Sequence, residues 1–230
     1  VRNTLFCARD RYGEKPFLFG AGRDFFAFAS EYRALLQHPG LSLDIDEWRL
    51  LRAAHNAGTG LDGDRQTVFN DVQQLLPGEA MEVDVLSLER RIWRYWQVVP
   101  GEQRAVLDEQ VVYDEFRELL IDSVRLRMRS DVPVGSCLSG GLDSSAIVCI
   151  SRRLLGEDAE YHAFTGRFPG TPADEWSYAS QVVEATGVHS HVVEPRVEGF
   201  LQELPRFVAA NELPVGSSSP YAQWNVFRLA

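Results

Sequence analysis

The sequence predicts an α+β unit with antiparallel strands, followed by an α/β unit with a parallel sheet. Short β-rich runs separated by turn residues fill the first part of the 230-residue chain. A polar stretch punctuated by Pro-Gly, Val98-Val99-Pro100-Gly101-Glu102-Gln103, interrupts the pattern near residue 100. Beyond it strands and helices alternate as βαβαβ, an order that requires parallel strands and right-handed crossovers. Domains are therefore expected at residues 1–100 and 101–230.

Thr4-Leu5-Phe6-Cys7-Ala8, Phe17-Leu18-Phe19 and Phe25-Phe26-Ala27-Phe28-Ala29 read as strands, the first two joined by a turn around Tyr12 to Pro16. Ser30 to Leu36 reads as a short helix with a serine cap, and Asp46 to Ala54 as another, capped by Asp44 or Asp46. Strands follow near Gly78 to Val85 and Arg91 to Gln97. Val112, Phe116, Leu119, Leu120 and Val124 recur at helical spacing and predict an amphipathic helix over about 110–129. Then come a strand over Val132 to Leu138, a helix over Ser144 to Leu155 ending at Gly156, and a strand over Tyr161 to Phe168. A helix over Asp174 to Thr186 ending at Gly187, a strand over His189 to Glu194 and a helix from Tyr221 complete the series. Val1 in place of Met, and a terminal helix without a stop signal, suggest that the chain lacks both ends of its parent protein.

The chemistry is concentrated in Ser139-Gly140-Gly141-Leu142-Asp143-Ser144, at the carboxyl end of the first parallel strand, where open α/β sheets bind ligands. Gly140 and Gly141 let backbone N–H groups approach an anion, and the helix N-terminus beyond them adds unpaired donors and a favourable dipole. Ser139, Ser144 and Ser145 supply hydroxyls. Asp143, a carboxylate beside a phosphate site, suits a Mg²⁺ ligand. The lysine of a Walker loop is missing, which disfavours ordinary P-loop phosphoryl transfer. A bare glycine turn with a capping serine is the structural alternative.

The loop resembles the SGGxDS signature of the N-type ATP pyrophosphatases, which cleave ATP between the α and β phosphates. Its flanks, Ser130-Asp131-Val132-Pro133-Val134-Gly135 and Ser145-Ala146-Ile147, resemble those of the glutamine-hydrolysing asparagine synthetases. Arg9-Asp10-Arg11-Tyr12-Gly13-Glu14-Lys15-Pro16 and Phe28 to Leu35 are similar to the later part of that family's glutaminase domain. Leu76-Pro77-Gly78-Glu79 and Arg94-Tyr95-Trp96 match further landmarks in order.

The resemblance implies the C-terminal part of an Ntn-type glutaminase domain, then the N-terminal part of an adenine-nucleotide hydrolase-like synthetase domain. It implies ATP and Mg²⁺, with aspartate and glutamine as the other substrates, and a β-aspartyl-AMP intermediate. Leu138 and Thr165 join Ser139, Gly140, Gly141, Asp143 and Ser144 as nucleotide-site residues. Asp174-Glu175 is either an acid near metal or pyrophosphate or a helix cap. Asn211 to Ser219 resembles a segment beside the aspartate and pyrophosphate sites, with Gly216 where the family often carries aspartate. The family's glutaminase nucleophile is an N-terminal cysteine; Val1 cannot serve and Cys7 is internal, so no catalytic residue is assigned and these residues alone are expected to be inactive. β-Lactam synthetases and lasso-peptide cyclases resemble the same family, and a non-catalytic nucleotide-binding partner is a reading from another class.

With 23 basic against 33 acidic residues the formal charge is −10, which argues against nucleic acid and anionic lipid as partners. Three scattered cysteines fit a cytoplasmic protein, no leader or apolar run marks a membrane, and a homodimer is a possible assembly. Gly58-Thr59-Gly60-Leu61-Asp62-Gly63 matches GxGxxG but follows a helical segment and is read as a surface loop. His189 and His191 alternate on a strand without a third ligand in register, and Trp93, Tyr95 and Trp96 are read as packing at the domain junction. Arg125, Arg127 and Arg129 are read as a solvated helix face.

Overall fold

The computed structural model describes residues 3–55, 63–101, 108–156 and 158–230. The GxGxxG stretch up to Asp62, and the linker residues Glu102 and Gln103, lie outside them. The chain divides into two compact units, Val1–Gly101 with Val208–Ser217, and Glu102–Phe207 with Ser218–Ala230.

The first unit is antiparallel. Its elements are β1 (Thr4–Ala8), β2 (Leu18–Ala21), β3 (Phe26–Ala29), α1 (Tyr32–Leu35), α2 (Glu47–His55), β4 (Val72–Gln74), β5 (Glu79–Asp84) and β6 (Arg90–Arg94). One sheet runs β1-β5-β6 and the other β3-β2-β4. Cys7, Phe19, Leu75, Met81 and Val83 pack between the two sheets, with Phe17, Phe26 and Ile92 closing the cluster. Leu18 and Val72, on the other face of the second sheet, pack against Leu35 and Leu41. The short β4 has no counterpart in the sequence reading; it is held by pairing with β2.

Two side chains reach far along the chain to satisfy backbone groups in this unit. Arg9 is buried and donates to the carbonyls of Lys15, Gly13 and Leu75 and to Gln74. Asp10 accepts the amides of Tyr12, Glu14 and Lys15, which hold its carboxyl below the ordinary range and shape the turn that brings β2 back. Ser30 does not cap α1. The Tyr32 and Arg33 amides donate instead to the carboxylate of Glu212, both at 2.8 Å, from the segment Val208–Ser217 that belongs to this unit. Leu213 packs beside Ala53 and Val68. Asp46 caps α2, accepting the Arg49 amide at 3.0 Å.

Trp93, Tyr95 and Trp96 pack inside this unit. Trp93 lies 6.0 Å from Phe6, Trp96 lies 4.9 Å from Tyr12, and the Tyr95 hydroxyl donates to the Arg9 carbonyl.

The second unit carries α3 (Glu109–Arg127), β7 (Gly135–Cys137), α4 (Leu142–Leu155), β8 (His162–Gly166), α5 (Trp176–Thr186), β9 (His189–Val193), α6 (Val197–Asn211) and α7 (Ser219–Leu229), the last turn of α6 falling with the first unit. Its sheet, β7-β8-β9, is parallel throughout. Leu138, Val148, Tyr161, Ala163, Ala179 and Val188 form the core that joins α4 and α5 to one face. Side chains alternate across a strand, so Phe164 and Gly166 face the other side, where α7 packs with Val226 against Gly166.

The sequence reading places no helix over 197–211, where the interior Pro205 is a breaking signal. The helix is sustained by packing: Phe200 and Phe207 stack edge-on against Tyr221, whose hydroxyl donates to Glu203 at 2.6 Å. Among the described residues no helix is long and apolar enough to cross a membrane.

Replacing Glu212 with Ala removes the carboxylate that caps α1. The expected outcome is a loss of about 1 kcal/mol in the first unit, as for other lost caps. Faster hydrogen exchange at the Tyr32 and Arg33 amides checks it, and unchanged exchange there would refute the capping role.

Candidate functional site

The end of β7 is where the chain must turn sharply into α4. Gly140 takes φ +96°, a conformation that L side chains rarely adopt, and an added Cβ there would lie 2.6 Å from the Glu175 carbonyl. Gly141 is extended, at φ −69° and ψ 163°, and begins α4 without a side-chain cap. The first-turn amides of α4 are thus left without a side-chain cap at the positive end of the helix dipole, an arrangement that favours an anion.

The hydroxyls around this turn hold one another in place. Ser144 Oγ accepts the Ser139 amide at 3.2 Å and donates to the Gly141 carbonyl, Ser139 Oγ lies 3.0 Å from Ser144 Oγ, and the Gly141 amide donates to Ser139 Oγ. Asp143 is exposed on the first turn of α4. Among the described residues no group of three or more metal-binding side chains occurs. A single exposed carboxylate beside an anion loop suits Mg²⁺, which takes one or two carboxylates and fills its shell with phosphate and water oxygens.

A cavity of about 550 Å³ opens beside Ser139, on the α7 side of the sheet and within the second unit. Its apolar surface comes from Cys137, Leu138, Phe164, Phe168 and Val226, and its polar rim from Thr171, Ser218, Ser219 and Gln223. Desolvation raises the Cys137 thiol above its ordinary value, so it lines the cavity as a neutral, weakly polar group. The volume and the apolar slot next to an anion turn suit a nucleotide base and sugar.

Of the residues singled out from sequence, Ser139, Gly140, Gly141, Asp143 and Ser144 come together in the turn. Leu138 touches the cavity, but its side chain is in the core. Thr165 is 2% exposed, faces the α4 and α5 side with Ala163, and donates to the Leu138 carbonyl at 2.7 Å. The cavity is lined by its neighbours Phe164 and Gly166 instead, because strand alternation turns Thr165 away. The 2.7 Å bond nevertheless fixes the end of β7 from which the anion turn departs.

Sequence reasoning missed Phe168, Thr171, Ala222, Gln223 and Val226. Alternation places Phe164 on the face opposite Ala163, a usable signal; nothing local reveals that α7 covers that face. Ser218 and Ser219 reach the cavity, whereas Ser217 falls with the first unit. Asp174 pairs with Arg167 at 2.8 Å, and Glu175 presents its carbonyl to Gly140. His191 does find another histidine, with Nε2 2.8 Å from His162 Nδ1 on β8. Arg125 pairs with Asp122 one turn away on α3, both well exposed.

The asparagine synthase family model matches residues 115–230, and the glutamine amidotransferase domain model matches residues 1–96. Asparagine synthetase (glutamine-hydrolysing) 3 of Bacillus subtilis is 30% identical over 230 residues, covering 93% of this chain and 36% of that protein. A putative asparagine synthetase (glutamine-hydrolysing) 2 of Methanocaldococcus jannaschii is 28% identical, covering 100% of this chain and 44% of that protein. An amidase, chry2, of Gibberella zeae is 26% identical over 228 residues, covering 93% of this chain and 33% of that protein. The chain therefore spans less than half the length of these curated relatives.

The two glycines of the turn should respond differently to substitution. Gly140→Ala meets both the positive φ and the Glu175 carbonyl, and is expected to abolish pyrophosphate binding measured by calorimetry. Gly141→Ala places a methyl group 3.4 Å from Ser139 Oγ, an ordinary contact, and should retain most of it. Equal losses in the two variants would contradict the close-approach argument.

Proposed function

This chain belongs to the asparagine synthase family, and on that premise we propose that the protein it comes from makes asparagine from aspartate, with ATP as activator and glutamine as nitrogen donor. The observation that carries the reading is the anion turn Ser139 to Ser144 opening onto the apolar cavity. Residues 1–96 supply the later part of a glutaminase domain of the Ntn type, and residues 115–230 the first part of an adenine-nucleotide hydrolase-like synthetase domain. The antiparallel sheets of the first unit and the parallel sheet of the second support these assignments.

In this reading the adenine lies along Phe164, Phe168 and Val226. The β and γ phosphates sit on the Ser139 and Ser144 hydroxyls and the amides at the start of α4. A carboxylate oxygen is a poor leaving group, so aspartate attacks the α phosphorus, pyrophosphate departs, and the β-aspartyl-AMP formed is open to ammonia. The turn stabilises charge gathering on pyrophosphate as the bond breaks, a differential interaction that lowers the barrier. Asp143 would hold Mg²⁺, which when bound supplies Lewis-acid neutralisation of that charge. The enzyme is read as cytoplasmic, consistent with the free cysteines Cys7, Cys137 and Cys149, and as a homodimer, which light scattering checks.

Gly216, where the family often carries aspartate, keeps a second acceptor in view: the same adenylation could serve ring-closing amide formation. Product analysis of the full-length protein separates the two. Aspartate with glutamine and ATP should yield asparagine, AMP and pyrophosphate; AMP formation that ignores aspartate would point to the other acceptor, and none with any carboxylate to a nucleotide-binding partner without catalysis.

Asp143→Ala is expected to lower aspartate-dependent pyrophosphate exchange at least ~100-fold and to remove the magnesium dependence of ATP affinity, as loss of a transition-state charge contact does. Full exchange in this variant would remove Asp143 from the reaction.

A further inference from the structure

Beside α7, the cavity has a second wall in the loop Arg167 to Glu175, between β8 and α5. It contributes Phe168, Thr171 and Glu175. A loop of this kind, with Pro169, Gly170 and Pro172 and exposed residues at its tip, has little apolar packing to hold it.

What holds it is a forked ion pair across its base. Arg167 Nη2 lies 2.8 Å from Asp174 Oδ2 and Nε 3.4 Å from Oδ1, and the Phe168 amide donates to Oδ1 at 3.3 Å. The pair is largely shielded, with 24% and 13% of the two side chains exposed. The Arg167 guanidinium sits 5.0 Å over the Trp176 ring, and the Arg167 amide donates to the Val193 carbonyl at the end of β9. Glu194 adds a second negative charge near Arg167. Within the loop, Thr171 donates through its hydroxyl and amide to the Phe168 carbonyl, and the Asp174 amide donates to the Thr171 carbonyl. Immediately after Asp174 comes the Glu175 carbonyl that fills the space where Gly140 has no Cβ.

We propose that Arg167 and Asp174 form a positioning clamp for the nucleotide site, Asp174 acting through the loop and not as a metal ligand. The inference rests on the nucleotide reading above. One pair closes the loop into a wall that presents Phe168 and Thr171 to the base, and sets Glu175 against Gly140, so the base slot and the anion turn keep a fixed spacing. Both Asp174 oxygens already accept hydrogen bonds, which leaves the carboxylate poorly placed for a cation. The Arg167 hydrogen bond holds the Asp174 carboxyl below the ordinary carboxylate range. A lowered acid contributes fully above its unfolded value and is lost only as pH falls through the folded one, so the clamp is complete across the neutral range.

The test compares full-length wild type with Asp174→Asn, Arg167→Met and Arg167→Lys, each titrated with ATP with and without magnesium. Asp174→Asn and Arg167→Met should each weaken ATP binding about ten-fold, equally in both conditions, and Arg167→Lys, which keeps a cation against Asp174, should lose much less. A loss confined to magnesium-containing titrations would overturn the proposal in favour of a metal ligand. A loss in Arg167→Lys as large as in Arg167→Met, with its melting temperature unchanged, would also overturn it. If wild type does not bind ATP, the nucleotide reading fails. Hydrogen exchange of the Phe168 and Thr171 amides then still decides whether the pair orders the loop: it should quicken in Asp174→Asn and Arg167→Met, and unaltered exchange would sink the clamp.

Discussion

The contact between the Glu175 carbonyl and the backbone of Gly140 sets how closely the anion turn and the start of α5 can lie. It exists because Gly140 lacks a Cβ and tolerates φ +96°. Any other residue would force the turn away from α5 or the loop away from the cavity. The same carbonyl accepts the amides of Tyr178 and Ala179, so it is also the first hydrogen-bond acceptor of α5. Strand end, anion turn, loop and helix start are therefore fixed by one another.

Polar groups act in a similar way elsewhere in the second unit. The Thr165 hydroxyl on the Leu138 carbonyl joins the two strands whose ends frame the site. A buried hydroxyl left without a partner would be costly; paired, it fixes the strand end from which the turn springs. On the far side, the Glu203 carboxylate takes both Tyr221 and Arg228, and these bonds hold it below the ordinary carboxylate range while α7 stays against α6. The wall of the cavity formed by α7 thus depends on a helix that propensity alone disfavours at Pro205.

The first unit follows the same rule with longer reach. Arg9 and Glu212 each satisfy backbone groups distant in sequence, Arg9 at Leu75 and Glu212 at Tyr32 and Arg33. Neither side chain carries a local signal of that role, since an arginine after a strand and a glutamate after a helix look like surface residues until their surroundings are assembled.

What the residues determined by themselves was local. Two adjacent glycines with serines and an aspartate, between an apolar strand and an amphipathic helix, specify a turn suited to an anion because glycine sterics, hydroxyl donors and the helix dipole all act within a few residues of one another. The change from turn-separated strands to strand and helix alternation likewise announces antiparallel and parallel sheets. Tertiary structure alone decided the rest. Thr165 turns from the cavity while Phe164 and Gly166 face it, α7 closes the cavity, Glu212 caps α1, and Asp174 serves Arg167. Each of these depends on which groups meet after the chain has folded back on itself, and burial, hydrogen-bond satisfaction and charge pairing become definite only once those partners have been brought together.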